Sequence, residues 1–320
     1  MDALDRKILA VLFGDVRIPI PRLAHLVRAP ISTTNYRVER LINEGFITPT
    51  VRIEEENLGF YSFFVMVKVK ADTVKRNIAE FLKHRNLGWA VRTVGAYNLL
   101  MEFLVRDITE QERITNDLSR IAGKDILAIQ GLIAHKGYVF DHLLPDAGTH
   151  GPYKPWTLQF QKMTHVEPLD LLDKRILAAL RVDARKSIVD ISKQCESSAQ
   201  LVLYRMKRLK KNEIITRFTA IPNYGKLGYS KYALFLNFTK DPDALGVGPW
   251  LHQENGIRYA VQHLGKNGVY ILFIAKEERE VFSFLDRCSE QFIEHISGYE
   301  IFPVIEKYYE NLIAPCIVNP

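Results

Sequence analysis

"LDRKILAVLFGDVRIPIPRLAHLV" (Leu4–Val27) and "LDKRILAALRVDARKSIVDISKQC" (Leu172–Cys195) run side by side without a gap, 168 residues apart (172 minus 4). Leu4, Asp5, Ile8, Leu9, Leu12, Asp15 and Arg17 fall on Leu172, Asp173, Ile176, Leu177, Leu180, Asp183 and Arg185. Self-similarity at a fixed spacing decides architecture before any single motif does. The same shift lays "NYRVERLINEGFI" (Asn35–Ile47) on "LYRMKRLKKNEII" (Leu203–Ile215), repeating Tyr36, Arg37, Arg40 and Leu41. Further on, "LGFYSFFVMVKV" (Leu58–Val69) answers "LGYSKYALFLNF" (Leu227–Phe238), and "YVFDHLLP" (Tyr138–Pro145) answers "YYENLIAP" (Tyr308–Pro315), with register shifts that loops absorb. The chain is a duplicated two-domain unit.

Each first domain reads as three helices and a wing. Asp5–Phe13 carries Ile8, Leu9 and Leu12 at helical spacing; Pro21–Val27 opens on a proline, tolerated in a first turn, and hides Leu23 and Leu26. In "ISTTNYRVERLINEG" (Ile31–Gly45), Ser32 or Thr33 is placed to cap a helix whose inner face is Tyr36, Val38, Leu41 and Ile42, and Gly45 closes it. "FITPTVRI" (Phe46–Ile53) alternates as a short two-stranded wing would. Helix, helix, turn, helix, wing is the winged helix-turn-helix plan.

That plan lays the third helix in the major groove of DNA, one face on the protein and the other on bases and phosphates. "YRMKRLKKNEIITRF" (Tyr204–Phe218) fits such a division: six positive side chains share it with Met206, Leu209, Ile214 and Ile215, which serve a core. The candidate DNA-binding residues are Ser32, Thr33, Thr34, Asn35, Arg37, Arg40 and Arg52 in the first copy, and Gln200, Arg205, Lys207, Arg208, Lys211 and Arg217 in the second. Arg37 and Arg205 are the first choices for direct contact. Asn35, Thr33 and Thr34 are the choices for base discrimination, and Arg40, Arg208 and Lys211 for phosphates. An arginine at one helical position in both copies can instead pair with an acidic neighbour in the core.

The second domain of each unit reads differently. "FYSFFVMVKVK" (Phe60–Lys70) and "YSKYALFLNFTK" (Tyr229–Lys240) are strand-like in length and in aromatic and β-branched content. A helix follows in each (73–84 and 242–253), then two strands around a glycine (89–105 and 259–275), a second helix (109–121 and 277–292) and a last strand (126–134 and 295–304). The order βαββαβ is the ferredoxin-like sandwich, so the fold class is α+β: two winged helix-turn-helix domains, each followed by a ferredoxin-like domain. The domains expected are 1–53, 54–146, 168–221 and 222–320, with a linker at 147–167 whose Trp156 docks it on the first sheet. Tyr138, Tyr308 and Tyr309 read as packing residues of tail strands.

Charge is segregated along the same divisions. Residues 1–53 hold eight Lys/Arg against five Asp/Glu, and residues 166–221 twelve against seven, which gives +3 and +5; the remainder of the net +6 is −2. A polyanion partner would bind the first domains, where Lys and Arg gain affinity by releasing counterions from phosphates. At 320 residues and 47% hydrophobic, the chain can bury several cores. It shows neither an apolar run long enough to span a bilayer nor a secretory leader, so a cytoplasmic protein without membrane contact is expected. Cys195, Cys288 and Cys316 are odd in number and in no CxxC pattern, which suggests no disulfide framework and no zinc site. No cofactor and no metal site are expected.

Taken together, "LDxxDxxILxxL", the "DxR" turn, the "YRxxRL" helix, the "LG" entering a strand and the "VGAYNLL" loop resemble the Lrp/AsnC transcription regulators over nearly the whole chain, taken twice. The resemblance implies DNA binding by the winged helices, and dimerisation in the second domain with recognition of an amino acid or similar small effector. With two units fused, it further implies self-association through the ferredoxin-like sheets, within the chain or as a homodimer. The family's effector loop corresponds to Val94, Gly95, Ala96, Tyr97 and Asn98, and in the second half to Gly265, Lys266 and Asn267. Both loops read equally as plain glycine turns of two hairpins. The second recognition helix lacks the glycine at the position of Gly45, having Glu213, which puts its wing geometry in question. Sirohaem decarboxylases also resemble this family and occur as tandem fusions; Arg92 and "YNLL" (Tyr97–Leu100) echo them, yet Ala90 and Val91 stand where tyrosine and histidine would hold an acidic tetrapyrrole. The expectation is a sequence-specific DNA-binding regulator rather than an enzyme, with a low-specificity architectural DNA binder as the alternative.

Overall fold

The computed structural model describes residues 1–139, 155–157, 166, 168–265 and 267–319. Most of the linker 147–167, Phe140–Pro145 of the first tail, and Lys266 lie outside the described residues, as do the side chains of Tyr138 and Trp156. In chain order, the first repeat comprises helices α1 (Ala3–Gly14), α2 (Ile20–Val27) and α3 (Ile31–Asn43) and strand β1 (Ile47–Ile53). It continues with β2 (Tyr61–Val69), α4 (Ala71–Phe81), β3 (Leu87–Thr93), β4 (Leu99–Val105), α5 (Ile108–Ala122) and β5 (Ile126–Val139). After β6 (Pro155–Thr157), the order recurs as α6 (Leu171–Val182), α7 (Ile188–Gln194), α8 (Ala199–Lys211) and β7 (Ile215–Pro222). The second repeat ends with β8 (Ser230–Phe238), α9 (Val247–Gln253), β9 (Ile257–His263), β10 (Gly268–Ala275), α10 (Glu278–Gln291), β11 (Ile296–Glu310) and α11 (Pro315–Val318).

These elements form two units that cut across the repeat. One holds Met1–Gly59, Phe160–Leu227 and Asn311–Pro320; the other holds Phe60–Gln159 and Gly228–Glu310. Each unit draws one part from each copy.

In the helical unit the expected two-stranded wings are replaced by a shared one. Each copy supplies a single strand, and β1 and β7 pair antiparallel from Ile47↔Pro222 to Ile53↔Ile215. The physical reason is edge satisfaction: a lone strand leaves a row of backbone donors and acceptors open, and the other copy closes it. The "DxR" turns complete the clasp. Arg17 Nη1 donates to the carbonyls of Ala184 (2.5 Å) and Lys186 (2.9 Å), and Arg185 Nη1 donates to that of Val16 (2.5 Å). Asp15 and Asp183 hold the turns by accepting from the backbone N–H of Arg17 and Arg185. Burial pulls both guanidinium pKa values down, although an arginine stays charged.

Among the described residues the other unit holds a nine-stranded sheet in the order β2-β4-β3-β11-β8-β10-β9-β5-β6, and β2 also pairs with β5, so the eight strands other than β6 close into a ring. The resemblance implies self-association through the sheets; within the chain the halves join edge to edge. β11 pairs with β8 of its own copy through Ile296–Val304 and then with β3 of the other copy through Val304–Glu310. In the same way β5 pairs with β2 through Ile126–Ile133 and with β9 through Ala134–Val139. The last strands are therefore much longer than expected from composition, because each serves two sheets. Aromatic side chains of both copies meet inside: Phe64 lies 5.7 Å from both His263 and Tyr270, and Phe235 lies 5.0 Å from Tyr270 and 5.5 Å from Phe302.

Close packing makes one glycine of β5 hard to replace. A Cβ on Gly131 would stand 2.5 Å from the ring of buried Phe63. Gly131→Ala is expected to lower the unfolding free energy by about 1–2 kcal/mol through overpacking, read as a shifted urea midpoint at unchanged slope.

Candidate nucleic-acid interface

The third helix of each copy is fixed to the first by one buried carboxylate. Asp2 and Asp5 form a capping box at the start of α1, each side chain accepting from the other's backbone N–H (2.9 and 3.1 Å). Asp170 and Asp173 repeat it on α6. Asp5 and Asp173 are almost fully buried, and each receives two arginines from the third helix. Arg37 Nη1 donates to Asp5 (3.0 Å) and Asp2 (2.5 Å), while Arg40 Nη2 donates to Asp5 (2.7 Å). Arg205 pairs with Asp170 and Asp173, and Arg208 with Asp173. Hydrogen bonding from Arg37 holds the Asp2 carboxyl down at about 2. The four arginines proposed for direct and phosphate contact thus all have intramolecular partners, and the duplicated position marks a structural anchor. Their residual exposure is modest, 22% and 19% for Arg37 and Arg205.

Other candidates divide along the helix phase. In α3 the buried positions are Thr34, Val38 and Leu41; Thr34, expected at a base edge, faces the core and donates its hydroxyl to the Pro30 carbonyl (2.9 Å). Tyr36, expected inside, is 64% exposed because it lies midway between Thr34 and Val38 on the turn. Leu26 of α2, also expected inside, is exposed. Ser32 is exposed and Thr33 and Asn35 are half-buried, all on the outer surface of α3, with Asn35 Nδ2 donating to Glu39 (2.9 Å). Ser32 and Thr33 do not cap: the helix begins after Pro30 with no side-chain cap, whereas α8 is capped by Ser198, which accepts from the Leu201 N–H. On α8, Gln200, Lys207 and Lys211 are exposed as expected, and so are Lys210, Leu201, Leu203 and Tyr204. Lys210 is not among the contacts expected from sequence, and no role is expected there for Leu201, Leu203 or Tyr204; of the residues expected inside, Tyr36 is placed outside by the 34/38/41 spacing.

Arg52 and Arg217 sit opposite each other on the shared strand pair β1–β7. The missing glycine does not alter the second helix end: Glu213 takes the left-handed φ of 55° where Gly45 has 68°. A side chain there costs roughly 1–2 kcal/mol in strain.

The effector loop of the first copy is tied down at most of its polar groups. Asn98 accepts from the Val69 N–H (3.0 Å) and donates to the Val69 carbonyl (2.7 Å), the Gly95 carbonyl accepts from Lys68, and Tyr97 Oη bonds Gln130 (3.0 Å). Val94 and Ala96 are exposed, and a Cβ on Gly95 would meet Phe302 at 3.0 Å. In the second copy Gly265 and Asn267 are exposed, and the Asn267 carbonyl accepts from the Phe238 N–H. Gln130 and Phe302 also border a ring cavity with Met66, Asn237, His263 and Glu300; its volume is about 40 Å³. At roughly 10–15 Å³ for each water, that is room for about three waters. Among the described residues no cluster of His, Cys, Asp and Glu could hold a metal ion, and no helix is long and apolar enough to cross a membrane.

A family model described as winged helix-turn-helix DNA-binding matches residues 1–48 and 169–216. An HTH-type transcriptional regulator of Pyrococcus abyssi is 42% identical over 78 residues, 24% of this chain; the chain spans about half of that relative's length, 51%. The HTH-type transcriptional regulator FL11 of the same organism is 30% identical over 147 residues, which cover 46% of this chain and 96% of the relative. Among solved structures, the sirohaem decarboxylase NirDL in co-complex with an iron-uroporphyrin III analogue is similar in fold, with a TM-score of 0.65 over 98% of this chain and 96% of that one at 13% identity.

Proposed function

The chain belongs to the Lrp/AsnC family of transcription regulators, two units in tandem, and from that premise we propose that it is a cytoplasmic, sequence-specific DNA-binding regulator and not an enzyme. The observation that carries this reading is the division of faces on α3 and α8. The inner arginines are spent on Asp5 and Asp173, while Ser32, Thr33 and Asn35 on one helix and Gln200, Lys207, Lys210 and Lys211 on the other face outward. Base edges are read by the N-terminal side chains of such a helix and phosphates by lysines along it. The +3 and +5 of the two helical segments favour the same partner.

Following the family, an amino acid or similar small molecule is the proposed modulator, with the loop around Gly95 as its proposed seat. A second reading, decarboxylation of sirohaem, is favoured by the whole-chain likeness to NirDL. An acidic tetrapyrrole needs room and cations: the cavity bordered by His263 offers about 40 Å³ with the Glu300 carboxylate in its wall, whereas one of about 400 Å³ is lined by Lys276, Arg279 and Arg287 with Glu280.

Selection from randomised duplexes by the purified chain near physiological salt tests the proposal. A recovered motif supports it. Salt-dependent binding without any sequence ranking would leave an architectural DNA binder, and no DNA binding together with a spectral shift on adding sirohaem would leave the enzyme.

A further inference from the structure

The two recognition helices align position for position, yet their outer faces differ in chemistry. With the shift of 168, Ser32, Thr33, Asn35, Tyr36 and Glu39 stand where the second copy has Gln200, Leu201, Leu203, Tyr204 and Lys207. The buried positions are shared: Thr34, Val38 and Leu41 against Val202, Met206 and Leu209. So are the arginine anchors on Asp5 and Asp173. What holds the helices is thus duplicated, and what they present is not, apart from the exposed tyrosine at 36 and 204.

Resting on the regulator reading above, we propose that the two heads read different base sequences, so that the operator is non-palindromic. Beside the exposed Ile31 and Tyr36, the first head presents polar side chains. Asn35 gives one N–H to Glu39 and keeps its carbonyl and second N–H, the pair that matches the edge of adenine. Glu39 is exposed and its carboxylate accepts from a cytosine amino group.

The second head is apolar and cationic. Leu201 and Leu203 are 40% and 42% exposed where the first head has Thr33 and Asn35, on a helix otherwise rich in lysine; the exposed tyrosine, Tyr204 at 61%, is common to both heads. Isolated exposed leucines need no explanation, but these two flank the exposed face of α8 on either side, Leu201 one turn from Tyr204 and Leu203 one turn from Lys207, so that face is bordered by apolar side chains where the first head has Thr33 and Asn35. The apolar feature that a major groove offers is the thymine C5-methyl group, so the second head takes a thymine-bearing half-site. Lys207, in place of Glu39, reverses the charge at that position and with it the preference for cytosine. A two-fold symmetric dimer binds a palindrome because its heads are identical; here the clasp between the heads is conserved in both copies and only the outer side chains break the symmetry.

Two measurements decide the matter. Selection with the native chain should return one site with two unlike halves. Replacing thymine by uracil, which removes only the methyl, should weaken binding about three- to four-fold per contacted methyl in the half read by α8 and leave the other half unchanged. The triple variant Leu201→Thr, Leu203→Asn and Lys207→Glu, all at exposed positions, should then select a palindrome of two α3-type halves. The reciprocal variant Thr33→Leu, Asn35→Leu and Glu39→Lys should select the other palindrome. A palindromic site for the native chain, or a native site indifferent to uracil in both halves, overturns the proposal while leaving a regulator. Salt-dependent binding with no motif at all removes both.

Discussion

Replacing Asp173 by alanine is expected to destabilise the chain by about 3 kcal/mol, seen as a lower denaturant midpoint for the helical unit. The carboxylate is fully buried and is the common acceptor of Arg205 and Arg208, whose side chains are 19% and 36% exposed. Removing one partner of a buried ion pair strands the other charge and costs ~3–5 kcal/mol when both are buried. Because water still reaches the two arginines, the low end applies. The substitution also removes half of the capping box, since Asp173 accepts from the Asp170 N–H. Asp5→Ala should behave alike, with Arg37 and Arg40 stranded. An unchanged midpoint would mean that the arginines do not depend on the carboxylates, and would return them to the list of phosphate contacts.

Loss of Lys207, Lys210 and Lys211 together should weaken DNA binding on the order of 100-fold near physiological salt and flatten the plot of log affinity against log salt by about 3, close to one per phosphate contact. All three are exposed on α8, whose buried residues are Val202, Met206 and Leu209, so stability should hardly change. The loss should be similar for every site sequence except where Lys207 meets a base. Anisotropy titrations of one selected duplex at four salt concentrations provide the slope. A slope unchanged by the triple substitution would place the DNA elsewhere than on this helix.

Arginines and lysines of the candidate interface differ in how legible they were from sequence. Lys207, Lys210 and Lys211, which match no lysine of the first copy, read as outward from the helix phase and are outward. Arg37 and Arg205 had the more conspicuous pattern, repetition at one position, and the structure pairs them with Asp5 and Asp173 respectively, the alternative that the sequence left open beside DNA contact. Tyr36 was misplaced because its size suggested a core, whereas Thr34, small and polar, occupies the core position and satisfies its hydroxyl on Pro30. Helical phase, not hydrophobicity, assigns that pair.

Sequence by itself determined the duplication, the order of elements in each copy and the concentration of positive charge in the helical segments, because these depend on local periodicity, turn residues and counting. The left-handed turn at Glu213 lay beyond it, since non-glycine strain is tolerated only where neighbouring structure imposes it. Only the tertiary structure decided how the copies combine. Open strand edges and buried aromatic faces can be satisfied by any partner with the right pleat, and which one is chosen is a matter of register over distances that no local pattern encodes. In this chain β1 found β7, β3 found β11 and β5 found β9, and the two halves closed on each other.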